Sequence, residues 1–393
     1  MEALAPPSHG GRRRPWQDLP SDLLGLVLQR VPSHADRVRL RAVCRPWRAG
    51  ARLQAPLPAL LPWVALPDGS FLSLPDGEVH RRVLLPDDDV AHRLSTGSTL
   101  FLVHSDDGCS LMDPLSRGTT APRSIDLNCL STRPGVLLDT DNILKVVVMS
   151  DHAVAVRTGH QMYFQNVTVS IRRPRSTTVE WRWIPRLDPK ACYALDMTLF
   201  QDKLYVLTAT YVGESPSCLY VMDIVGGDKH VNVQCVISMS NENMDQFYAG
   251  TIRYYLVASG DRLLMVKQKR EMLIWTKSLV FPDRFEVLEA VDLSSGHGRW
   301  REMNTLMGRA LFLSEGCSES LPVTADQDFG PREDCIYFLS ESKLHNRHDA
   351  KMSALYCGMY DMTKGTVSPL PMETVVESHD GPLRATWFFP ADT

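Results

Sequence analysis

The sequence has no run approaching the ~18–20 apolar residues that a bilayer-spanning helix needs. Its most apolar stretch, residues 55–67, is broken by Pro56, Pro58, Pro62 and Pro67 and reads as an irregular connector. An excess of one charge is also missing, since 42 Lys and Arg face 46 Asp and Glu for a net charge of −4. That balance provides no broad electrostatic footprint for nucleic acid or an anionic membrane. Cysteine is sparse and scattered: nine residues, none closer than 17 positions to the next. Such spacing builds neither a disulfide framework nor a C-x-x-C metal site, so reduced thiols of a cytoplasmic or nuclear protein are expected. The Asn166-Val167-Thr168 sequon is then incidental. Arg12, Arg13 and Arg14 lead into Trp16-Gln17-Asp18 rather than an apolar segment, which excludes a secretory signal there. G-x-x-x-x-G-K-[ST], H-E-x-x-H and G-x-S-x-G are all absent, so no catalytic role and no cofactor is expected.

What is present is a globular composition, 393 residues with 44% apolar and 22% charged. The length suits two or three domains, or a large single-core architecture beside a small one. Residues 1–15 (MEALAPPSHGGRRRP) hold almost nothing to bury and read as a disordered leader. Residues 16–54 are helical in pattern. Ser21 is placed to cap a first helix, and Leu23, Leu24, Val27, Leu28 and Val31 follow with helical spacing. Pro32 stops that helix, because it lacks an N–H and its ring clashes with the preceding turn. Ser33 with Asp36 starts a second helix carrying Val38, Ala42 and Val43, and Pro46 suits the first turn of a third that carries Trp47.

From residue 63 to 393 the texture is that of strands. Apolar runs at 63–66, 99–104, 145–149, 203–208, 218–224, 254–258, 262–267, 335–339 and 355–361 alternate with Gly, Asp, Asn and Pro. A strand followed by Asp and a turn recurs at Asp113, Asp223, Asp292 and Asp361, with intervals of 110, 69 and 69 residues. Repeated β-hairpin units of this kind predict a propeller-like domain with inserted loops. A sandwich or a pair of β-domains fits the same letters, since no clean 40–50-residue period is present. The fold class expected is therefore mainly β with a small N-terminal α module.

Three short helices with neither metal ligands nor a cysteine pair cannot bury much surface, so the module must pack on something. The order WQDLPSDLLGLVLQRVP, about twelve residues, then RAVCRPWR resembles an F-box. Leu19-Pro20 opens it, the leucine and valine stripe follows, Pro32 divides the helices, and Val43-Cys44 with Trp47-Arg48 ends it. The resemblance implies docking on the Skp-type linker of a Skp–cullin–F-box ubiquitin ligase, and through it on cullin. The residues it implicates are Leu19, Pro20, Leu23, Leu24, Val27, Leu28, Val31, Pro32, Val43, Cys44 and Trp47. For Val43 and Trp47, packing inside the module explains the same letters, and Pro46 departs from the small polar residue more usual there. Nearly the whole chain is similar to a plant F-box family whose long C-terminal half is propeller-like and of unknown function. The stretches that carry this are CSLMDPLSRGTTAP, GRWREMNTLMGRALFLSEGCSESLPVTADQDFGPREDCIYFLSES and the terminal TWFFP. The implied role is an adaptor that catalyses nothing and captures an unspecified protein target through its β-domain. The alternative is a propeller that binds or processes a small molecule or glycan, with the helices as accessory packing. A deep central pocket lined by carboxylates or histidines would favour it.

Other letters have bland readings. Gly296-His297-Gly298 lacks a following helix and suits a turn better than a nucleotide loop. His345 and His348 near Asp349 could hold a metal only on a helix, and Asp87, Asp88 and Asp89 read as a solvated face. Trp181, Trp183 and Trp387 are either recognition anchors or sheet core.

Overall fold

The computed structural model describes residues 16–54, 57–66, 68–74, 79–80, 90–104, 108–114, 125–126, 143–150, 153–158, 166–173, 176–183, 192–210, 216–223, 232–239, 250–271, 283–324, 330–345, 351–370, 375–376 and 384–390. The chain divides into two units, one built on residues 1–60 and one on residues 61–323 with 331–392. The segment 1–15 lies outside the described residues.

In the first unit, α1 spans Ser21–Arg30, α2 His34–Ala42 and α3 Arg45–Arg52. Ser21 is the first helical residue and not the cap: Pro20 holds the cap position at φ −54°, and its carbonyl accepts the first helical bond, from the Leu24 N–H at 3.0 Å. A proline already fixed near that φ presets the entry without a side-chain cap. Ser33 does cap α2, its Oγ accepting the Asp36 N–H at 3.3 Å. Cys44 precedes α3, and Pro46 sits in its first turn, where no N–H is missed. Leu24, Leu28 and Ala51 form the core, with Leu19, Leu40, Trp47 and Leu57 packed against them.

The second unit contains six sheets among the described residues. Their innermost strands are, in ring order, Thr386–Phe388, Val90–Thr96, Ile143–Ser150, Cys192–Phe200, Gly250–Ser259 and Glu319–Pro322. Neighbouring sheets meet through these inner strands. Most sheets are plain antiparallel meanders. The sixth differs: Arg309–Leu313 turns inward to Glu319–Pro322 and then lies parallel to Cys335–His345, pairing Leu311 with Ile336 and Leu313 with Phe338. Both paired segments lie in the stretch GRWREMNTLMGRALFLSEGCSESLPVTADQDFGPREDCIYFLSES.

Strands buried on both faces read as continuous apolar runs, and the period of two sends alternate residues into different cores. Along Gly250–Ser259, Tyr254 and Leu256 pack toward the fourth sheet with Leu207 and Leu219. Tyr255 and Val257 pack toward the sixth with Leu311 and Phe338. Further apolar clusters fill the spaces between the second and third sheets, the third and fourth, and the sixth and first. The ring closes on the terminal TWFFP stretch. Val64 pairs with Trp387, whose Nε1–H donates to the Leu313 carbonyl at 3.0 Å and whose own carbonyl accepts the Ser95 hydroxyl at 2.7 Å. Trp387 is wholly buried, so it is core and not an exposed anchor.

The recurring aspartates share one topological place. Asp113, Asp223, Asp292 and Asp361 each sit at the end of the strand that precedes an outer strand of its sheet. Asp361 shows why the residue type suits: its carboxylate accepts the Thr363 and Lys364 N–H groups and fixes the turn. The Lys364 ammonium first, then the Thr363 hydroxyl and the Lys364 N–H, hold its carboxyl down to about 2.

Candidate functional site

Two places combine unusual geometry with chemistry, one in each unit. On the helical unit, α1 carries apolar residues over two faces. At about 100° per residue, Leu26, Leu23, Val27, Leu24 and Leu28 spread over roughly 200° of arc, twice the width of one core-facing stripe. One face is internal, where Leu24 and Leu28 are buried. The other is outside, leaving Leu23, Leu26 and Val27 at 44%, 47% and 42% exposure. Trp16, Val38 and Val43 add exposed apolar surface, and Pro20 and Pro32 are also exposed. Leu19 and Trp47 are half-buried against the core, and Trp47 donates Nε1–H to the Trp16 carbonyl at 2.9 Å. Val31 is partly buried, its carbonyl accepting Arg37 Nε–H, and Cys44 is a partly buried backbone cap. The residues implicated by the resemblance therefore fall into an outward set and an inward set. Trp16, Leu26 and Val38 join the outward set without having been singled out; the width of the apolar arc on α1 was the available signal for Leu26.

Arg37 is the inverse case. It is almost wholly buried, donating Nε–H to Val31 O at 3.2 Å and Nη1–H to Pro58 O at 2.8 Å. It ties α2 to the end of α1 and to the chain beyond α3, where a buried guanidinium needs carbonyl partners.

In the β unit, the inner strands surround an axis lined with charge. Lys145 Nζ donates to Asp196 Oδ1 at 2.9 Å and Oδ2 at 3.1 Å, and both side chains are buried. Asp196 Oδ2 also accepts the Leu256 N–H at 2.7 Å, so one carboxylate links the third, fourth and fifth sheets. The strand register slips beside both partners, between Ile143 and Lys145 and between Ala194 and Asp196. An irregularity of this kind re-aims a side chain that strict alternation would place elsewhere.

A cavity of about 310 Å³ is lined by Thr96, Lys145, Thr198, Ser318, Glu319 and Ser320, with Gly97 and Cys317 beside them. A second, of about 140 Å³, is lined by Arg157, Asp196, Arg253 and Glu315. The ion pair thus contributes one partner to each. Burial pushes the Glu319 carboxyl up to about 7, with the Lys145 charge pulling the other way. Burial, reinforced by Glu319, pushes the Cys317 thiol to about 12, so it is no nucleophile at neutral pH. Gly97 is required here: at φ +66° a Cβ would stand 2.7 Å from Glu319 Oε1.

Gly296-His297-Gly298 forms the turn before Arg299–Met303. A Cβ on Gly298 would lie 2.6 Å from the Val236 carbonyl, so close backbone packing explains that glycine. Asp87–Asp89, His348 and Asp349, and the side chains of His345, Trp181 and Trp183, lie outside the described residues. Among the described residues no helix is long and apolar enough to cross a membrane, and no three His, Cys, Asp or Glu side chains are grouped to hold a metal.

Comparison with known proteins adds two matches to family models. One described as the KIB1-4 beta-propeller matches residues 71–361, and one described as an F-box domain matches residues 16–53. The F-box protein At2g26160 of Arabidopsis thaliana is 29% identical over 117 residues, 30% of this chain, and the match spans 28% of that protein's length. Among solved structures, the N-terminal domain of Nup159 overlays with a TM-score of 0.32 at 8% identity, over 77% of this chain and 66% of that one. The Bacteroides ovatus xyloglucan PUL GH43B gives 0.32 at 13% identity, over 77% of this chain and 56% of its own.

Proposed function

We propose a function from a fixed premise: the chain belongs to the KIB1-4 beta-propeller family and carries an F-box domain. It acts as the target-recognition adaptor of a Skp–cullin–F-box ubiquitin ligase. Its helical unit docks on the Skp-type linker, its propeller holds a protein target, and the transfer chemistry belongs to the ligase partners. The adaptor raises the effective concentration of target lysines near the charged enzyme. Such a role places it in the cytoplasm, the nucleus or both.

The observation that carries the reading is the outward face of α1. Leu23, Leu26 and Val27 stay exposed on a helix whose opposite face already fills the module core. At roughly 1.5–3 kcal/mol per fully buried apolar side chain, three or four such anchors offset much of the cost of association. Leu24 and Leu28 support that face from behind. The glycan-processing alternative needs two converging carboxylates. Among the described residues the 310 Å³ cavity offers one, Glu319; in the second cavity Asp196 is engaged by Lys145 and Leu256 and Glu315 pairs with Arg157, which favours the adaptor reading.

The test is size-exclusion chromatography of the full chain mixed with a Skp-type linker. A one-to-one complex is expected for the native chain and none for Leu23→Asp/Val27→Asp, with the unfolding temperature of the free chain unchanged. A complex that survives the double substitution overturns the assignment of this face.

A further inference from the structure

The large axial cavity holds a carboxylate that none of the described residues pairs with. Glu319 lies in its wall on the inner strand of the sixth sheet, and among the described residues none hydrogen-bonds or ion-pairs with its carboxylate. Lys145, the nearest cation in the wall, is committed to both oxygens of Asp196. The remaining polar wall is uncharged: Thr96, Thr198, Ser318 and Ser320, of which Ser320 accepts Arg309 Nε–H at 2.7 Å and faces Ser259 Oγ at 2.8 Å. With the ion pair neutral, the described wall carries one net negative charge once Glu319 is ionised. A carboxylate drawn partly out of water without a partner costs the fold that contains it free energy, and a group retained at such expense is characteristic of a site awaiting a ligand. Gly97 keeps the space beside Oε1 open, since any larger residue would press on the carboxylate.

We infer that this cavity binds a cationic amine or guanidinium group, held by Glu319 and the surrounding hydroxyls. About 310 Å³ accommodates a lysine or arginine side chain or a small aliphatic amine. The two sources share one chemistry: a basic side chain inserted by a bound protein, or a free amine. Thr96 and Thr198 offer acceptor oxygens to the N–H donors that the carboxylate does not reach, while the Ser318 hydroxyl is tied to the Ser314 backbone. Cys317, held as a thiol, adds no charge, and the Lys145 ammonium excludes a second cation.

Binding a cation requires the ionised carboxylate, so it releases a proton wherever free Glu319 is protonated. With the free carboxyl near 7, affinity should rise about tenfold between pH 6 and pH 8. The experiment is titration calorimetry of the full chain with three probes: butylammonium, agmatine and the peptide Gly-Gly-Lys-Gly-Gly. The expected result is saturable binding of at least one probe, stronger at pH 8, with proton uptake by the buffer near pH 7. Glu319→Gln should abolish both binding and its pH dependence, whereas Glu319→Asp should weaken binding but keep the pH dependence. Butylammonium or agmatine binding without peptide binding assigns a free amine; peptide binding assigns a side chain. No binding of any probe at millimolar concentration, or binding unchanged in Glu319→Gln, overturns the inference. The linker complex is measured separately through Leu23 and Val27, so this site and the adaptor reading fail independently.

Discussion

The helical unit and the propeller distribute apolar and charged residues in opposite ways. The helical unit encloses an arginine and leaves leucines and valines outside; the propeller fills the spaces between sheets with apolar side chains and gathers charge along its axis. Size explains the contrast. About 40 residues cannot cover their own apolar surface, so the arc of about 200° on α1 leaves Leu23, Leu26 and Val27 exposed. A ring of six sheets among the described residues buries its apolar faces sheet against sheet, with Trp387 bolted between the sixth, first and second. Its unmet requirement is electrostatic, at Glu319. The two proposed partners match what each unit leaves uncovered: an apolar helix face on the small unit and a carboxylate in the large one.

The largest effect that would break this comparison lies in the axis. Lys145→Met leaves Asp196 buried without its cation and should destabilise the propeller by about 3–5 kcal/mol. Adding Asp196→Asn, which retains an acceptor for the Leu256 N–H, should recover most of that loss. Urea unfolding of both variants reads the difference, and linker binding should not change. A single variant within about 0.5 kcal/mol of native would mean that the pair does not hold the sheets together. The contrast within α1 is sharpened by two neighbours. Leu28→Ala, at a fully buried position, should destabilise the helical unit by about 2–5 kcal/mol. Leu26→Ala, on the outward face, should change stability by less than about 0.5 kcal/mol yet weaken linker binding. Limited proteolysis around residues 16–54 and linker titration separate the two. Equal losses of stability would place both leucines in one core.

Much of this architecture was legible from local pattern. Pro32, Ser33 and Pro46 mark the helix boundaries because their constraints act within a turn, and the strand at 99–104 coincides with Thr99–His104. The aspartate motif marked the same turn in four of the six sheets, and at Asp361 the Asx turn that explains it is local chemistry. Ser21 misled because Pro20 already presets the helix entry. The two faces of α1 were not separated by spacing alone: Leu23 and Leu24 are equally apolar letters, and only packing with Ala51 decides which is inside. The Lys145–Asp196–Leu256 link and the Glu319 cavity were not legible at all. The link joins residues 51 and 60 positions apart on three sheets, the cavity gathers residues from Thr96 to Ser320, and register slips that no composition signals aim Lys145 and Asp196.

The smallest effect is the one that isolates Glu319. Its carboxyl titrates near 7 in the folded chain against 4.5 ordinarily. Below pH 4.5 both folded and unfolded chains hold the proton, so the residue has no effect on stability. Between 4.5 and 7 the unfolded chain has released it while the folded chain keeps it, so stability falls as pH rises; above 7 the full penalty is present. Glutamine has nothing to release. Glu319→Gln should therefore stabilise the chain by about 2 kcal/mol at pH 8, after allowance for solvent screening, and by almost nothing near pH 4.5. Thermal unfolding across that range reads the difference. A gain that is the same at pH 5 and pH 8 would assign it to packing rather than charge. A loss at pH 8 would show that the ionised carboxylate supports Lys145 as a second counter-ion, leaving the cavity with no charge to offer a ligand.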